Sequence, residues 1–191
     1  PELQVKQMLG LQGIIVVDYN IEYVLWIDIL GFRNFIEKSK TEHRLIEYLL
    51  DAISPPKDIN PQKIVLLDVG DVVEAKHEIT AFSDTIVVSA ENSIRGFLYI
   101  VNYYLRIVKK LERIGLFARG SLVIGEVYHK ENKFFGPAII EAYELEEKEK
   151  YPRVIITKEV LDNIKKEKDE TYEFLMRFIK NEDVYFLHSL F

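Results

Sequence analysis

The chain has 191 residues, of which 48% are hydrophobic and 29% are charged, and its net charge is −6. This composition is typical of a soluble globular protein, and no apolar run is long enough to cross a membrane. The negative net charge disfavours a nucleic-acid partner, because phosphate binding needs clustered Lys and Arg. With no cysteine and no signal-peptide pattern, we expect one cytoplasmic domain, 1–191, without disulfides or zinc–thiolate sites.

The first part of the chain predicts a strand, a tight turn and a helix. Residues 22–29 are rich in β-branched and aromatic side chains, as in a buried strand, and Gly31 follows closely. Residues 32–53 then carry apolar side chains at helical spacing until two prolines end the pattern. Residues 1–20 and 57–75 give no clear assignment.

The middle of the chain predicts a hairpin, a long helix and another strand. Residues 78–90 form two apolar runs around a turn that presents Asp84. Residues 93–114 have one apolar side at helical spacing, and a strand over 117–128 follows. Pro137 suits the first position of a further helix.

The C-terminal part adds shorter elements. The charged run 146–150 indicates a solvated helix end, to which we assign no chemistry. A short strand at 154–156, a helix at 158–168 and a last edge strand at 184–187 complete the prediction.

This order of elements, β-α-ββ-α-β followed by α-β-α-β, predicts an α+β fold. Its core is a ferredoxin-like antiparallel sheet with helices on one face, and it carries a C-terminal α-β extension. The opposite face would expose a large apolar patch unless a partner covers it. A homodimer is the simplest arrangement that would do so.

Two aspartates interrupt apolar strands, and these are the main candidates for chemistry. Asp28 lies inside the first predicted strand, and Asp84 lies at the turn of the hairpin. A carboxylate in such a place is unfavourable unless a cation or hydrogen-bond donors accompany it. Either backbone N–H groups satisfy each aspartate separately, or the pair shares a divalent metal, for which oxygen ligands favour Mg²⁺ or Mn²⁺.

Five motifs, in the same order over about 22–160, resemble those of the class III nucleotidyl cyclases. Residues 26–32 follow the pattern aromatic-x-Asp-Ile-x-Gly-Phe, and Ser83-Asp84 resembles the second, Gly-Asp motif. The other three are an Arg-x-Gly-Ile-x-x-Gly strand at 119–125, a helix pattern from Gly136 through Ala142 to Glu146, and a strand at 153–157. The residues at 136–146 and 151–153 resemble the pyrimidine cyclases of bacterial anti-phage defence more than the adenylyl or guanylyl cyclases.

The resemblance implies a two-metal site. In the family, the two motif aspartates bind two metal ions, and the residue after the first aspartate contributes its backbone carbonyl. These roles fall on Asp28, Asp84 and Ile29, with Mg²⁺ or Mn²⁺ as the cofactor. Such a site neutralises a triphosphate and acidifies the attacking ribose hydroxyl.

The resemblance also implies how a nucleoside triphosphate is held. Gly31 and Phe32 would provide the turn and the first helical amides that approach phosphate oxygens. Arg119 matches the triphosphate-binding arginine of the family, and Arg33 is a further cation near the phosphates.

Two departures from the family pattern concern the substrate. The Asn and Arg with which purine cyclases orient the ribose and stabilise the transition state are replaced by Ile140 and Glu144. The charged residue that selects a purine base is replaced by Thr80. Phe82, which alternation places on the face of Asp84, is either sheet core or a contact to the base or to a second protomer.

The leading hypothesis is therefore a metal-dependent cyclase that converts UTP or CTP to a 3′,5′-cyclic monophosphate and pyrophosphate. A downstream effector would read that product. The alternative is a non-catalytic, nucleotide-sensing or regulatory homodimer on a cyclase fold. An RNA-binding sheet is disfavoured because the chain lacks a basic face.

The four histidines, at 43, 77, 129 and 188, have no metal-ligand spacing and are expected at the surface or in loops.

Overall fold

The computed structural model describes residues 18–54 and 75–166, together with the segments 64–65, 72–73, 176, 179–181 and 184–187. The sequence-based predictions for 1–17 and for most of 57–74, the end of the helix predicted at 158–168, and His188 lie outside these residues.

The strands are β1 (Asn20–Leu30), β2 (Ile64–Val65), β3 (Val72–Val73), β4 (His77–Phe82), β5 (Thr85–Glu91), β6 (Phe117–Lys130), β7 (Lys133–Phe135), β8 (Val154–Ile156), β9 (Ile179–Asn181) and β10 (Tyr185–Leu187). The helices are α1 (Phe32–Ser39), α2 (Arg44–Ile53), α3 (Ile94–Arg113), α4 (Pro137–Lys148) and α5 (Lys158–Ile164).

The main sheet has a ferredoxin-like core. Among the residues that the structure describes, its strand order is β4-β5-β1-β6-β8-β10-β9, and β7 pairs with the far end of β6. Strands β4, β5, β1 and β6 pair antiparallel, and β8 runs parallel to β6 after the crossover through α4. Strands β4, β5, β1 and β6 lie side by side in the order expected of a β-α-β-β-α-β unit. The predicted α+β class, ferredoxin-like core and C-terminal α-β extension are therefore confirmed.

The two faces of the sheet follow from the alternation along β1. Tyr23, Leu25 and Ile27 belong to the main core, which α1, α2, α3 and α5 cover. We call this side the core face. The other side, with Val24, Trp26 and Asp28, is here called the site face.

Helix α4 packs on the site face, whereas the order of elements predicted helices on one face only. Its Ala138 and Ala142 form a second apolar cluster with Val24 and Val123. Ser121 also donates a hydrogen bond of 2.6 Å to the carbonyl oxygen of Ala142. The apolar area left for a partner is therefore smaller than predicted.

Three details of the predicted elements differ from the structure. The single helix expected over 32–53 is two helices, α1 and α2, separated by a turn at residues 40–43. The segment between the predicted strand at 117–128 and Pro137, to which no element was assigned, contains β7, which folds back on the end of β6. The predicted edge strand at 184–187 is β10, which β9 covers on its outer side. Within the part of the chain that the structure describes, no helix is long and apolar enough to span a membrane.

Candidate active site

Asp28 and Asp84 meet at one end of the site face. Asp28 lies near the end of β1 and is directly opposite Thr85, the first residue of β5. The backbone N–H of Ile29 donates a hydrogen bond of 2.8 Å to the carbonyl oxygen of Asp84. The β4–β5 hairpin turn thus holds its aspartate against the end of β1, as the sequence predicted.

The hairpin turn is conformationally strained. Ser83, at the first position of the turn, has a positive φ of 55°, a region in which glycine is preferred. Strained backbone of this kind concentrates at functional sites. The turn places the Asp84 carbonyl next to the Ile29 N–H.

Asp28 has a cationic partner that the sequence analysis did not foresee. The guanidinium of Arg119, which lies opposite Asp28 on β6, is 3.2 Å from its carboxylate. Partial burial raises the pKa of Asp28, and the negative charge of Asp84 raises it further, whereas Arg119 opposes both effects. Two carboxylates that repel each other in a partly buried place are what a divalent cation would neutralise.

Arg119 is itself held by the C-terminal end of α4. It forms an ion pair with Glu146, and it donates a hydrogen bond of 3.1 Å to the backbone carbonyl of Glu149. The Glu149 carboxylate pairs with Arg153 at 3.0 Å and also accepts two backbone N–H groups. Burial raises the pKa of Glu146, and Arg119 lowers it.

The charged run 146–150 is therefore not simply a solvated helix end, and that expectation was wrong. Glu146 and Glu149 are both buried, while Glu147, Lys148 and Lys150 are exposed. A signal was present in the sequence, because Ala138, Ala142 and Glu146 are spaced by four and share one helix face. The two alanines mark that face as buried.

The N-terminus of α1 begins immediately beyond Asp28. Gly31 adopts a left-handed conformation with φ of 86°, which turns the chain from β1 into the helix. No side chain among the described residues caps this helix, so the first amides of α1, beginning at Phe32, have no side-chain acceptor from that part of the chain. Arg33 is exposed on the same turn. These groups form a suitable environment for phosphate oxygens.

One row of side chains runs across the sheet at this end. The strand registers place Phe82, Thr85, Asp28 and Arg119 side by side on the site face. Phe82 is 75% exposed, so it is available to a ligand or a partner and is not part of the sheet core.

Thr80 lies two residues before Phe82 and is buried. Its hydroxyl forms a hydrogen bond of 2.9 Å with Nε2 of His129, and Nδ1 of His129 is 3.1 Å from the Ser89 hydroxyl. His129 is thus buried, contrary to the expectation for the histidines. Residues 123, 127 and 129 alternate onto the same face of β6, so the strand pattern held the signal that was missed.

Two of the three positions that depart from the purine-cyclase pattern, Ile140 and Glu144, lie on the outer side of α4. Both side chains are exposed. Trp26, in contrast, packs edge-on against Phe134 and Tyr143, with ring centroids 6.2 and 5.7 Å apart. Trp26 is therefore part of the apolar cluster under α4.

The oxygen atoms near Asp28 could serve as ligands for a metal ion that takes most of its other ligands from a substrate. Among the residues that the structure describes, no group of three or more His, Asp or Glu side chains could hold a metal ion by itself. Mg²⁺ is commonly bound through one or two carboxylates together with substrate phosphates. Asp28, Asp84 and the backbone of Ile29 offer this kind of oxygen-only, incomplete set.

Comparisons with known proteins agree with this architecture. No model of a known protein family matches the chain, and no curated protein sequence matches it significantly. The structure is similar, however, to that of the adenylyl cyclase CyaB from P. aeruginosa, with a TM-score of 0.51, 13% identity and coverage of 92% of this chain and 98% of that one.

Guanylyl cyclase domains from two fungi are similar to the same degree. The domain of RhGC from Catenaria anguillulae, solved in complex with GTP, has a TM-score of 0.51 and 13% identity over 91% of this chain and 98% of its own. The monomeric domain of the RhoGC fusion protein from Blastocladiella emersonii has a TM-score of 0.51 and 12% identity, with coverage of 90% and 96%. The chain therefore has the fold of adenylyl and guanylyl cyclase catalytic domains.

Proposed function

We propose that the protein is a metal-dependent nucleotidyl cyclase, a phosphorus–oxygen lyase that acts on a nucleoside triphosphate. The observation that supports this most is the backbone hydrogen bond from Ile29 to Asp84, which brings Asp84 beside Asp28 near the start of α1, within a cyclase fold. The carboxylates, the helical amides and Arg119 together suit a chelated triphosphate.

The proposed reaction is an intramolecular displacement at the α-phosphorus. The ribose 3′-oxygen forms a bond to the α-phosphorus, the bond to the bridging oxygen of the β-phosphate breaks, and pyrophosphate leaves while the hydroxyl proton passes to solvent. Asp28, Asp84 and the Ile29 carbonyl would hold two Mg²⁺ or Mn²⁺ ions. Bound there, these ions lower the pKa of the hydroxyl and neutralise the phosphates. Arg119, Arg33 and the amides of Gly31 and Phe32 would orient the triphosphate.

A pyrimidine substrate is favoured by the neutral, short side chain of Thr80. Without a long charged residue, the site offers a purine edge no charge-assisted hydrogen bond, while a hydroxyl suits the carbonyl, imino or amino groups of a pyrimidine. We expect UTP or CTP to be preferred over ATP and GTP by at least roughly tenfold in kcat/KM.

The test is incubation of the purified protein with each of the four nucleoside triphosphates and Mn²⁺. Cyclic monophosphate and pyrophosphate are then quantified, with a reaction lacking Mn²⁺ as the control. A clear preference for ATP or GTP would reject the pyrimidine assignment. Nucleotide binding without any cyclic product would favour the non-catalytic, nucleotide-sensing alternative, which the exposed Ile140 and Glu144 permit.

The site also requires, in this proposal, a second copy of the chain. Large apolar side chains are exposed around it on the site face and on α4, namely Phe82, Phe117, Ile140 and Tyr143. An isologous dimer through this region would cover them and would create two equivalent sites between the protomers. It would also bring a partner's side chains to each nucleotide, which compensates for the lack of the Asn and Arg of purine cyclases.

The dimer is tested with two matched substitutions of exposed apolar residues. Ile140→Asp alters α4, and Leu50→Asp alters α2 on the opposite side of the sheet; the two residues are 61% and 55% exposed. Sedimentation at micromolar concentration should show a dimer for the wild type and Leu50→Asp, and a monomer with lost activity for Ile140→Asp. A fully active monomeric wild type would contradict the proposal.

A further inference from the structure

The β6–β7 hairpin carries a histidine across the site face into a buried hydrogen-bond network. His129 is 5% exposed and lies between Thr80 of β4, which is 7% exposed, and the completely buried Ser89 of β5. Its two ring nitrogens are 2.9 and 3.1 Å from the Thr80 and Ser89 hydroxyls. Phe134, from β7, packs edge-on against the imidazole with ring centroids 5.7 Å apart. Two strands, β4 and β5, and the hairpin itself thus fix this ring.

The imidazole is neutral at physiological pH because burial lowers the pKa of His129 to about 4. A neutral imidazole has one donor and one acceptor nitrogen. If Nε2 carries the proton, Thr80 accepts that hydrogen bond and its own O–H remains free to donate. If Nδ1 carries the proton, Thr80 donates to Nε2 and only its lone pairs remain. The tautomer of His129 therefore decides whether Thr80 presents a donor or an acceptor.

Thr80 is also in a suitable place for reading a base. It lies on the same face of β4 as Phe82, two residues away, and Phe82 is the exposed aromatic side chain at the end of the row that contains Asp28. A base stacked on the Phe82 ring would bring its polar edge towards Thr80.

We propose that Thr80, His129 and Ser89 form the element that recognises the base, with His129 as a positioning residue. This inference rests on the proposed nucleotidyl cyclase function and holds whether the base comes from the site of the same protomer or of its partner. His129 orients the Thr80 hydroxyl towards one pyrimidine edge and excludes the larger purine ring. Ser89 contacts the other ring nitrogen and so holds the imidazole from the opposite side.

The test compares base preference in His129→Ala and Ser89→Ala with that of the wild type. We expect His129→Ala to reduce the ratio of kcat/KM for pyrimidine over purine triphosphates by at least roughly tenfold, since the selecting hydroxyl loses its orientation. Ser89→Ala, which removes one hydroxyl only, should change the ratio of UTP to CTP. Inhibition by inorganic tripolyphosphate with Mn²⁺ should be unchanged within about twofold in both variants, because the phosphate groups do not contact this network.

Ser121→Ala is the matched control. It removes another buried hydroxyl of the site face, one that donates to the Ala142 carbonyl, and it should leave the base preference unchanged. An unchanged preference in folded His129→Ala, or an equal change in Ser121→Ala, would overturn this inference alone. If the wild type binds but does not turn over, the same ratios are measured as binding affinities. A wild type that neither binds nor turns over any nucleotide would overturn the proposed function as well.

Discussion

Replacing Asp28 by Ala, or Asp84 by Asn, is expected to reduce cyclic-nucleotide formation by at least about a thousandfold, the scale on which a preorganised electrostatic contact acts. Each carboxylate would serve both metal ions in the proposed site, so neither can substitute for the other. The backbone link from Ile29 to Asp84 does not involve either side chain, so the strand and the turn should remain in place.

Removal of the Asp28 charge alone, by Asp28→Asn, should not destabilise the apoprotein. Burial and the charge of Asp84 raise the pKa of Asp28 above its value in the unfolded chain. The ionised carboxylate is thus disfavoured by folding, and its contribution opposes stability once the pH exceeds the raised pKa. Asp28→Asn removes this ionisation while keeping a hydrogen-bond acceptor for Arg119. We therefore expect its melting temperature at neutral pH, without metal, to equal or exceed that of the wild type.

Thermal denaturation with and without Mn²⁺ and a triphosphate separates the loss of ligand binding from the change in apoprotein stability. The wild type should be stabilised only when both are present, and the Asp28 and Asp84 variants should show no such shift. Asp162→Asn, a partly exposed aspartate on α5, is the control for loss of one negative charge. Turnover above a tenth of the wild-type rate in either site variant would exclude the two-metal assignment.

The sequence predicted the fold and the aspartate pair because both depend on local patterns. The apolar run of β1, the short turn at Ser83-Asp84 and Gly31 after β1 can each be recognised within a few residues. Once the β-α-ββ-α-β order is known, β1 and the hairpin are neighbours in the sheet. The meeting of Asp28 with Asp84 then follows without knowledge of any distant contact.

The partners of these groups depend on packing between distant segments, and they were not predicted. Arg119 is separated from Asp28 by 91 residues, and His129 from Thr80 by 49. Whether Glu146 is buried depends on α4 crossing to the site face, a choice that the element order leaves open. Glu146 and His129 were assigned to the surface or to loops, where such polar residues are usually found. Helical spacing for Glu146 and strand alternation for His129 were the signals that could have corrected this.

Replacing Arg119 by Met is the second substitution with a large expected effect, and it acts on both activity and stability. In the proposed site the Arg119 guanidinium would contact phosphate, so its loss should lower kcat/KM by about a hundredfold to a thousandfold. The substitution also leaves the buried Glu146 carboxylate without its ion-pair partner. Removal of one partner of a buried pair costs about 3–5 kcal/mol, and the partial exposure of Arg119 favours the lower end.

The stability loss should depend on pH in a definite direction. Burial already raises the pKa of Glu146, and Arg119 is the group that lowers it. Without Arg119 the folded-state pKa rises further above that of the unfolded chain, so the folded protein binds more protons. Arg119→Met should therefore be least stable relative to the wild type at neutral and alkaline pH. The difference should diminish as the pH falls below the raised pKa and the carboxyl group becomes protonated.

A double variant distinguishes the catalytic role of Arg119 from its structural one. Arg119→Met combined with Glu146→Gln removes both charges, so urea denaturation at pH 7 should show most of the lost stability restored. Its activity should stay as low as that of Arg119→Met, because the phosphate contact is still absent. Glu146→Gln alone keeps the guanidinium beside Asp28 and should lose less than about tenfold in kcat/KM, the scale of a single neutral hydrogen bond. Recovery of activity together with stability in the double variant would instead mean that Arg119 only holds α4 against the sheet, and that the triphosphate is bound by other cations, such as Arg33.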